Sequence, residues 1–458
     1  MSTPPLASGP QGADALRSLL PVVLDALDTG TRARGGPLPA GGPEAVAARL
    51  RDAIGDVLPD DGEPDSLAAL VHALAAGSAD PADPLCAAHL HCPPLAVATA
   101  ADLAVSALNP SLDSWDQAPA ASELETLVTG AIARLAGLTD ALVTTGGTEA
   151  NQLALLLARE AHGGSVRLVC GANAHHSLTR AAWLLGLPQP VIVPTPTGRL
   201  DPATLTAALP DGPTLVAATA GTTDAGLIDP LPDIAALCRD RGARLHIDAA
   251  YGGGLLFSDR HRNKLTGLDA AHTVTLDLHK LGWQPVAAGL LAVRDPADLR
   301  ALHQHADYLN ADDDTDAGLP DLLGRSLRTT RRPDVLKIAV TLKTLGRHGL
   351  GALVDQVCQR ARELAALITD HPHLELHSPP TISTVLFRPT HATDKTVAEI
   401  RRRLLTDGRA VLGRARLDGR LWLKATLLNP HTSPHDLAAL LKTLEGHQEA
   451  HTKGHPRT

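Results

Sequence analysis

The chain has 458 residues, with 41 Lys and Arg against 50 Asp and Glu, which gives a formal charge of −9 at pH 7. This balance argues against a protein that binds nucleic acid by neutralising phosphates over a broad surface. Hydrophobic residues make up 44% of the chain and charged residues 20%, a composition typical of globular proteins, and the length indicates two or three structural units.

Four regions follow one another along the chain. Residues 1–88 alternate helical periodicity with Pro- and Gly-rich breaks, which predicts a helical N-terminal segment. In residues 89–345, helix-like stretches alternate with short apolar runs such as VRLVC, TLVAATA, RLHID and TVTLD. Residues 346–445 hold the candidate strands STVLFRP and RLWLKATLLNP around the helix VAEIRRRLL, which predicts a small α+β domain, and the polar tail 446–458 is expected to be disordered.

The alternation in residues 89–345 predicts the fold class. Strands that alternate with helices are typical of βαβ units, so we expect an α/β fold with a mainly parallel central sheet flanked by helices. Ligands of such sheets bind at the carboxyl ends of the strands. The loops that follow the apolar runs are therefore where functional residues are expected.

The cysteines and the apolar runs indicate the cellular location. The five cysteines form no CxxC pair, which favours a reducing compartment over a disulfide framework. The N-terminal sequence has neither the basic region nor the apolar core of a signal peptide, and no apolar run approaches the length of a membrane span. We therefore expect a cytoplasmic protein without a membrane partner.

The sequence TTGGTEAN, which starts at Thr144, lies between an apolar run and a helix-like stretch. Glycines at a strand-to-helix turn let backbone N–H groups converge on an anion, and Thr148 adds a hydroxyl. The pattern is neither GxxxxGK[ST] nor GxGxxG, so a nucleotide is not required. Gly147 and Thr148 are candidate phosphate ligands, although a tight turn with a helix cap explains the pattern as well.

Two histidines, His175 and His176, follow the run VRLVC. An imidazole can stack on a flat heteroaromatic ring, and aromatic residues are only 2% of this chain, so a histidine is a natural choice for that role. A surface loop is the alternative interpretation. A two-histidine metal site lacks a carboxylate at ligand spacing, and we predict no metal.

Asp248 follows the apolar run RLHI, and Lys280 follows the apolar run TVTLD. A carboxylate followed by small residues can approach a planar ligand and keep a pyridine nitrogen protonated, although a helix N-cap is the simpler interpretation. A lysine at the end of an apolar strand can become a nucleophile toward a carbonyl and form a Schiff base, whereas most loop lysines are only solvated. The phosphate cradle, ring stacker, carboxylate and lysine together are the set that pyridoxal 5′-phosphate requires.

These motifs resemble those of the group II pyridoxal-phosphate-dependent amino acid decarboxylases, from about His89 to Pro430. The resemblance includes SLDSWDQAPAASELE from Ser111, ATAGTTDAGLIDPL from Ala218 and LKATLLNP from Leu423. The segments DYLN and SLRTTRR are most similar to the bacterial branch that acts on 2,4-diaminobutyrate or lysine. The resemblance implies fold type I, pyridoxal phosphate as cofactor, an amino acid as substrate, and a homodimer with shared active sites in which residues 1–88 contribute to dimer formation.

The resemblance also implies roles for individual residues. Lys280 would form the Schiff base with the cofactor, Asp248 would partner the pyridine nitrogen and His175 would stack on the ring. The remaining cofactor-binding residues implied are Gly147, Thr148, Thr222, Ala250, Asp277 and His279. The substrate pocket would include Pro93, Pro94, Trp115 and Tyr308, and the first three could belong to the partner's site.

One departure from the family pattern leaves the outcome of the reaction open. Many members place a tyrosine in a mobile loop to protonate the substrate carbon after carbon dioxide leaves, and residues 311–330 contain none. Decarboxylation to the amine is the main prediction, with His175 or another acid in place of that tyrosine. Decarboxylation-coupled oxidative deamination or elimination in a secondary-metabolite pathway is the alternative, and a catalytically silent binding dimer is a third.

Two charged groups bear on the substrate. The acidic stretch of residues 312–316 could attract a cationic side chain, which would suit a diamino acid, but a solvated loop is the simpler interpretation. Arg331 and Arg332 could face a substrate carboxylate or pair with those aspartates. The sequence alone does not select the substrate.

Overall fold

The computed structural model describes residues 3–453, with the side chains of residue 307 and of residues 446–453 excepted. Its helices are α1 Gly12–Arg34, α2 Gly42–Ile54, α3 Ser66–Gly77, α4 Ala96–Leu108, α5 Pro119–Leu135, α6 Gly147–Ala161, α7 His176–Leu184, α8 Pro202–Ala208, α9 Leu231–Arg241, α10 Leu278–Leu281, α11 Asp307–Asn310, α12 Asp312–Asp316, α13 Val335–Thr369, α14 Asp394–Thr406 and α15 Pro434–Lys453. Its strands are β1 Cys86–Ala87, β2 Asp140–Thr144, β3 Arg167–Gly171, β4 Val191–Val193, β5 Thr214–Thr219, β6 Arg244–Ala249, β7 Thr273–Asp277, β8 Gly289–Val293, β9 Leu374–Leu376, β10 Thr384–Pro389, β11 Val411–Leu417 and β12 Arg420–Thr426.

The chain divides into two compact units by its contacts. The large unit comprises Leu90–Gln359 and Pro380–Thr384, and the small unit comprises the described residues up to His89, Arg360–Pro379 and the described residues from Val385 onward. The N-terminal helices thus belong with the C-terminal α+β domain, which the predicted division at residues 88 and 345 kept apart. The hydrogen bond from Gly41 N to Thr406 O, 2.9 Å long, is one of the contacts that join them.

The large unit is built on a central sheet in the order β2-β8-β7-β6-β5-β3-β4. All pairings among β7, β6, β5, β3 and β4 are parallel, and β8 is antiparallel to both of its neighbours. All six residues of β5 are buried, which is typical of a strand covered on both faces. The predicted α/β fold with a mainly parallel sheet is confirmed, and each apolar run used to predict it forms a strand.

The small unit contains a sheet in the order β1-β11-β12-β10-β9. Strands β10 and β12 and helix α14 were predicted, whereas the sequence interpretation missed β11, whose residues Arg414 and Arg416 are exposed between buried neighbours. Helices α1, α2 and α3 complete this unit. No helix among residues 3–453 combines the length and the apolar character that a bilayer span requires.

Two boundaries differ from those predicted from the sequence. Helix α13 runs through the predicted boundary at residue 345, where only Gly346, with φ of 63°, departs from helical angles. The backbone of residues 446–453 continues α15, and the disorder predicted for the tail 446–458 stays a prediction. Residues 454–458 lie outside the described residues.

Candidate active site

A cavity of about 300 Å³ lies at the carboxyl edge of the central sheet. Strands β5, β6 and β7 are parallel, and β2 runs in the same direction as β7 because β8 is antiparallel to both. The loops after these strands therefore meet at one edge. Eight of the predicted cofactor residues line the cavity: Gly147, Thr148, His175, Asp248, Ala250, Asp277, His279 and Lys280.

The turn between β2 and α6 forms a tight cradle on one side of the cavity. A Cβ atom at Gly147 would lie 3.1 Å from both Ala250 Cβ and Asp277 Oδ2, and one at Gly289 would lie 2.4 Å from Gly146 Cα. Only glycine allows backbone to approach this closely. The first N–H groups of α6 point toward the cavity end of the helix, where an anion is stabilised by the helix dipole.

Lys280 and Asp277 form an ion pair beside that cradle. Lys280 Nζ lies 2.9 Å from Asp277 Oδ2, and His279 Nε2 lies 3.5 Å from the same oxygen. Among the described residues, Asp277 Oδ1 and His279 Nδ1 are buried without a hydrogen-bond partner. Burial lowers the pKa of His279 below its ordinary value, so the imidazole is neutral near pH 7.

Asp248 is held at the end of β6 by neutral donors. Asn151 Nδ2 donates to Asp248 Oδ2 at 2.8 Å, and the Ala250 N–H donates to Asp248 Oδ1 at 3.1 Å. Asp248 is 5% exposed. Neutral donors do not neutralise a buried carboxylate, so a cationic ligand placed against it is stabilised.

His175 lies at the N-cap of α7, where its Nδ1 is 2.8 Å from Ser177 Oγ and 3.3 Å from Ser177 N. Burial lowers the pKa of His175, and the nearby carboxylate of Asp248 acts in the opposite direction. The neutral ring is therefore held by Nδ1, and Nε2 is the nitrogen left for a ligand in the cavity.

Five predicted residues are not among those that line the cavity. Thr222 is buried, and its hydroxyl accepts from Leu227 N at 3.0 Å within a turn, while the neighbouring Thr223 lines the cavity instead. The other four are the predicted substrate residues Pro93, Pro94, Trp115 and Tyr308, of which Trp115 is 38% and Tyr308 83% exposed. Their assignment to a substrate pocket stays a prediction.

Arg331 and Arg332, the two arginines of the SLRTTRR segment, form ion pairs with carboxylates outside the acidic stretch. Arg331 makes a bidentate pair with Glu125 at 2.6 and 2.7 Å, both side chains being almost fully buried. Arg332 pairs with Asp102 and Asp334. Of the two alternatives for these arginines, pairing with the acidic stretch that forms α12 is therefore not the one seen among the described residues.

Several residues of the cavity were missed by the sequence interpretation. Asn151 ends the TTGGTEAN motif, and Tyr251 directly follows Ala250. Leu90 and Thr223 line the cavity from loops. Asn151 follows Gly147 by one helical turn, so helical spacing could have placed it on the face of α6 that meets the cavity. Tyr251 is fully buried, and its hydroxyl lies 2.8 Å from Ser383 Oγ.

Comparison with known proteins gives one family for most of the chain. Residues 63–390 match the model of the pyridoxal-dependent decarboxylase conserved domain. An L-2,4-diaminobutyrate decarboxylase of Rhizobium meliloti is 42% identical, over 82% of this chain and 79% of that protein. A second L-2,4-diaminobutyrate decarboxylase, of Acinetobacter baumannii, is 32% identical, over 77% of this chain and 78% of that protein.

Solved structures agree with this result. The chain superposes with a TM-score of 0.83 and 30% identity on the glutamate decarboxylase domain of diaminobutyrate-pyruvate transaminase and L-2,4-diaminobutyrate decarboxylase from Vibrio parahaemolyticus. The match covers 96% of this chain and 97% of the other. The predicted fold type I and the predicted resemblance are thus confirmed.

The cavity fits pyridoxal phosphate. The glycine cradle at the start of α6 has no room for a side chain, and its backbone N–H groups suit an anion. Asp277 and His279, whose Oδ1 and Nδ1 are buried without a partner, are among the residues that line the cavity. Asp248 supplies the anion for a protonated pyridine nitrogen, and Lys280 supplies the amine for an aldehyde. The donor set thus matches both ends of the cofactor.

Gly147→Ala should weaken cofactor binding, because the new methyl group would be forced against Ala250 and Asp277. Overpacking costs about 1–3 kcal/mol of stability and is relieved when Ala250 and Asp277, which line the cavity, shift from their positions, so the Kd for pyridoxal phosphate should rise. The measurement is a fluorescence titration of the cofactor-free protein. Gly130→Ala on α5, where the new Cβ would meet only the end of the Arg134 side chain, should leave the Kd unchanged; equal affinities for both variants would contradict the cradle.

Proposed function

Because the chain belongs to the pyridoxal-dependent decarboxylase family, we propose that it removes the α-carboxyl group of L-2,4-diaminobutyrate and releases 1,3-diaminopropane and carbon dioxide. The observation that carries the substrate is the 42% identity to a diaminobutyrate decarboxylase over 82% of the chain. Two features of one cavity support the chemistry: the ion pair between Lys280 and Asp277, and the buried carboxylate of Asp248. Residues 311–330 lack the loop tyrosine, so oxidative deamination or elimination stays the alternative outcome that the product analysis below tests.

Pyridoxal phosphate, when bound, supplies an aldehyde that condenses with amines and a pyridinium ring that accepts the electron pair released with carbon dioxide. Asp248 would hold the proton on the ring nitrogen, since Asn151 and the Ala250 N–H fix both of its oxygens. Gly147 and Thr148 would hold the phosphate, and His175 would cover one face of the ring. Asp248 and Asp277 are 5% and 4% exposed, so little water competes for their carboxylates, which strengthens these interactions.

Lys280 would carry out the amine exchange. Its Nζ lies 2.9 Å from Asp277 Oδ2, so Asp277 can orient the amine and take part in proton movement at that atom. The side chain is 19% exposed, which leaves it open to a substrate amine that enters the cavity. Lys280 is thus placed to receive and return a proton while the substrate occupies its position.

Lys280→Ala should abolish both turnover and the visible absorbance of the bound cofactor, because no other amine of the cavity replaces Nζ. Lys343→Ala, which removes an exposed lysine of α13, is the matched control and should keep both. Borohydride reduction of the native enzyme followed by peptide mapping should place the cofactor on Lys280. Label on another lysine, or full activity of Lys280→Ala, would refute the assignment.

A panel of diamino acids tests the substrate. One extra methylene in a shaped pocket costs about 10- to 200-fold in kcat/KM, so L-2,4-diaminobutyrate should exceed L-ornithine by at least about tenfold, and L-lysine by more. Carbon dioxide, amine and oxygen should be followed together. Aldehyde formation with oxygen uptake would replace the proposed outcome by oxidative deamination, and a preference for another amino acid would overturn the substrate.

We further propose that the protein is a homodimer with shared active sites. Helix α1 exposes apolar side chains, among them Leu19 at 44%, Leu24 at 63% and Leu27 at 45%, and an apolar face of this kind is typical of an interface. Sedimentation equilibrium should give about twice the chain mass of 47.6 kDa. Leu24→Glu should shift the equilibrium toward the monomer, whereas Ser18→Glu, at an exposed position of the same helix about 120° around the axis from Leu24, should not; a monomeric native protein would refute the proposal.

We also propose a cytoplasmic location. All five cysteines are free and four of them are buried. Burial raises the pKa of Cys92 and Cys170 to about 12, so both are protonated thiols that pack as small apolar side chains. A chain that relies on unpaired thiols in its interior suits a reducing compartment.

A further inference from the structure

A continuous path of buried hydrogen bonds joins Asp248 to His175, and two residues without an assigned role form it. Asn151 Nδ2 lies 2.8 Å from Asp248 Oδ2 and 2.9 Å from Ser177 Oγ. Ser177 Oγ lies 2.8 Å from His175 Nδ1. Asn151 and Ser177 are both fully buried, so these bonds do not compete with water.

The direction of the path follows from the carboxylate. A carboxylate only accepts hydrogen bonds, so Asn151 presents its amide nitrogen to Asp248, and its second amide hydrogen goes to Ser177 Oγ. The contacts of the Asn151 side-chain oxygen are consistent with this orientation. Asn151 Oδ1 accepts from Thr275 Oγ1 at 2.9 Å and lies 3.0 Å from His246 Nε2.

His246 strengthens the orientation of Asn151. Complete burial lowers the pKa of His246, so the ring is neutral and carries one hydrogen. Its Nδ1 lies 2.9 Å from Thr273 Oγ1, which can donate to it. Because Asn151 Oδ1 only accepts, the single hydrogen of His246 lies on Nε2 and is donated to that oxygen, which keeps the amide from rotating.

The path determines which nitrogen of His175 carries hydrogen. Ser177 Oγ accepts from Asn151, so its own hydrogen is free to donate to His175 Nδ1, and the Ser177 backbone N–H points to the same atom at 3.3 Å. Two donors at Nδ1 leave the ring hydrogen on Nε2. We propose that Asn151 and Ser177 act as positioning residues that hold His175 as the neutral tautomer with its hydrogen on Nε2, a role whose use in catalysis rests on the function proposed above.

A neutral donor suits the reaction better than a charged one. Decarboxylation discharges the substrate carboxylate, so a contact that binds this anion more tightly in the ground state than in the transition state slows the step. The charged and titratable groups around His175 are Asp248, Asp277, Lys280 and His176. Asp248 and Asp277 favour an imidazolium, and the donors at Nδ1 oppose it.

The tautomer is directly measurable in the enzyme loaded with pyridoxal phosphate and without substrate. With ring-¹⁵N histidine, the His175 resonances are identified by their loss in His175→Gln. Near pH 7 the native enzyme should show an unprotonated Nδ1 and a protonated Nε2. A protonated Nδ1 in the native enzyme would overturn the proposal.

Two variants test the path. Ser177→Ala removes the hydroxyl donor, and one hydrogen bond of about 0.5–1.5 kcal/mol means that the pKa of His175 should rise by about 0.4–1.1. Asn151→Ala does not touch His175, yet it frees the Ser177 hydroxyl to turn, so both tautomers should be populated. An unchanged pKa in the first variant or an unchanged tautomer in the second would refute the path. If Asn151→Ala does not fold, Ser177→Ala decides alone.

A matched control separates this effect from general loss of packing. Ser122→Ala removes another buried hydroxyl, which donates to Ala118 O within α5 at 3.0 Å, and the His175 resonances should stay in place. A shift of equal size in this control would also overturn the proposal. The measurement needs no substrate, so a wrong substrate would show as missing amine release while the tautomer result stands.

Discussion

The hydrogen bond from the Asn151 amide to Asp248 is the interaction on which the cavity depends. It holds a carboxylate that is 5% exposed, and its partners there are neutral. A buried anion costs several kcal/mol unless it meets an opposite charge, and the protonated ring of the cofactor is a charge of that kind. Folding therefore prepares an anion that favours the form of the cofactor which withdraws electrons best.

The sheet explains why distant segments meet at this anion. Parallel strands end at the same edge, and the antiparallel β8 returns the chain so that β2 also ends there. Apolar runs in the sequence predicted these strands because all of β5, β7 and β8, and all but the first residue of β2, β3 and β6, are buried. The motif residues that follow the runs were thus predictable, and eight of them line the cavity.

The features of the fold and the cavity that could not be predicted from the sequence depend on side-chain direction and on contacts between distant segments. Thr222 and Thr223 are neighbours, and only the turn decides that the first bonds Leu227 and the second faces the cavity. Strand β11 has charged residues between its apolar ones, so its pattern resembles a loop until β12 pairs with it. Helices α1, α2 and α3 belong to one unit with the C-terminal domain. The contacts that group them join residues distant in sequence, so no local sequence pattern predicts this grouping.

The close approach of Gly289 and Gly146 limits how this enzyme can change. A side chain at Gly289 would penetrate the neighbouring backbone, so this position tolerates no residue other than glycine. Leu90 and Thr223 also line the cavity and are not under this constraint, so a change toward longer or shorter substrates is easier there. Laboratory evolution of new amine products would gain most from libraries at those two positions, with the glycines held constant.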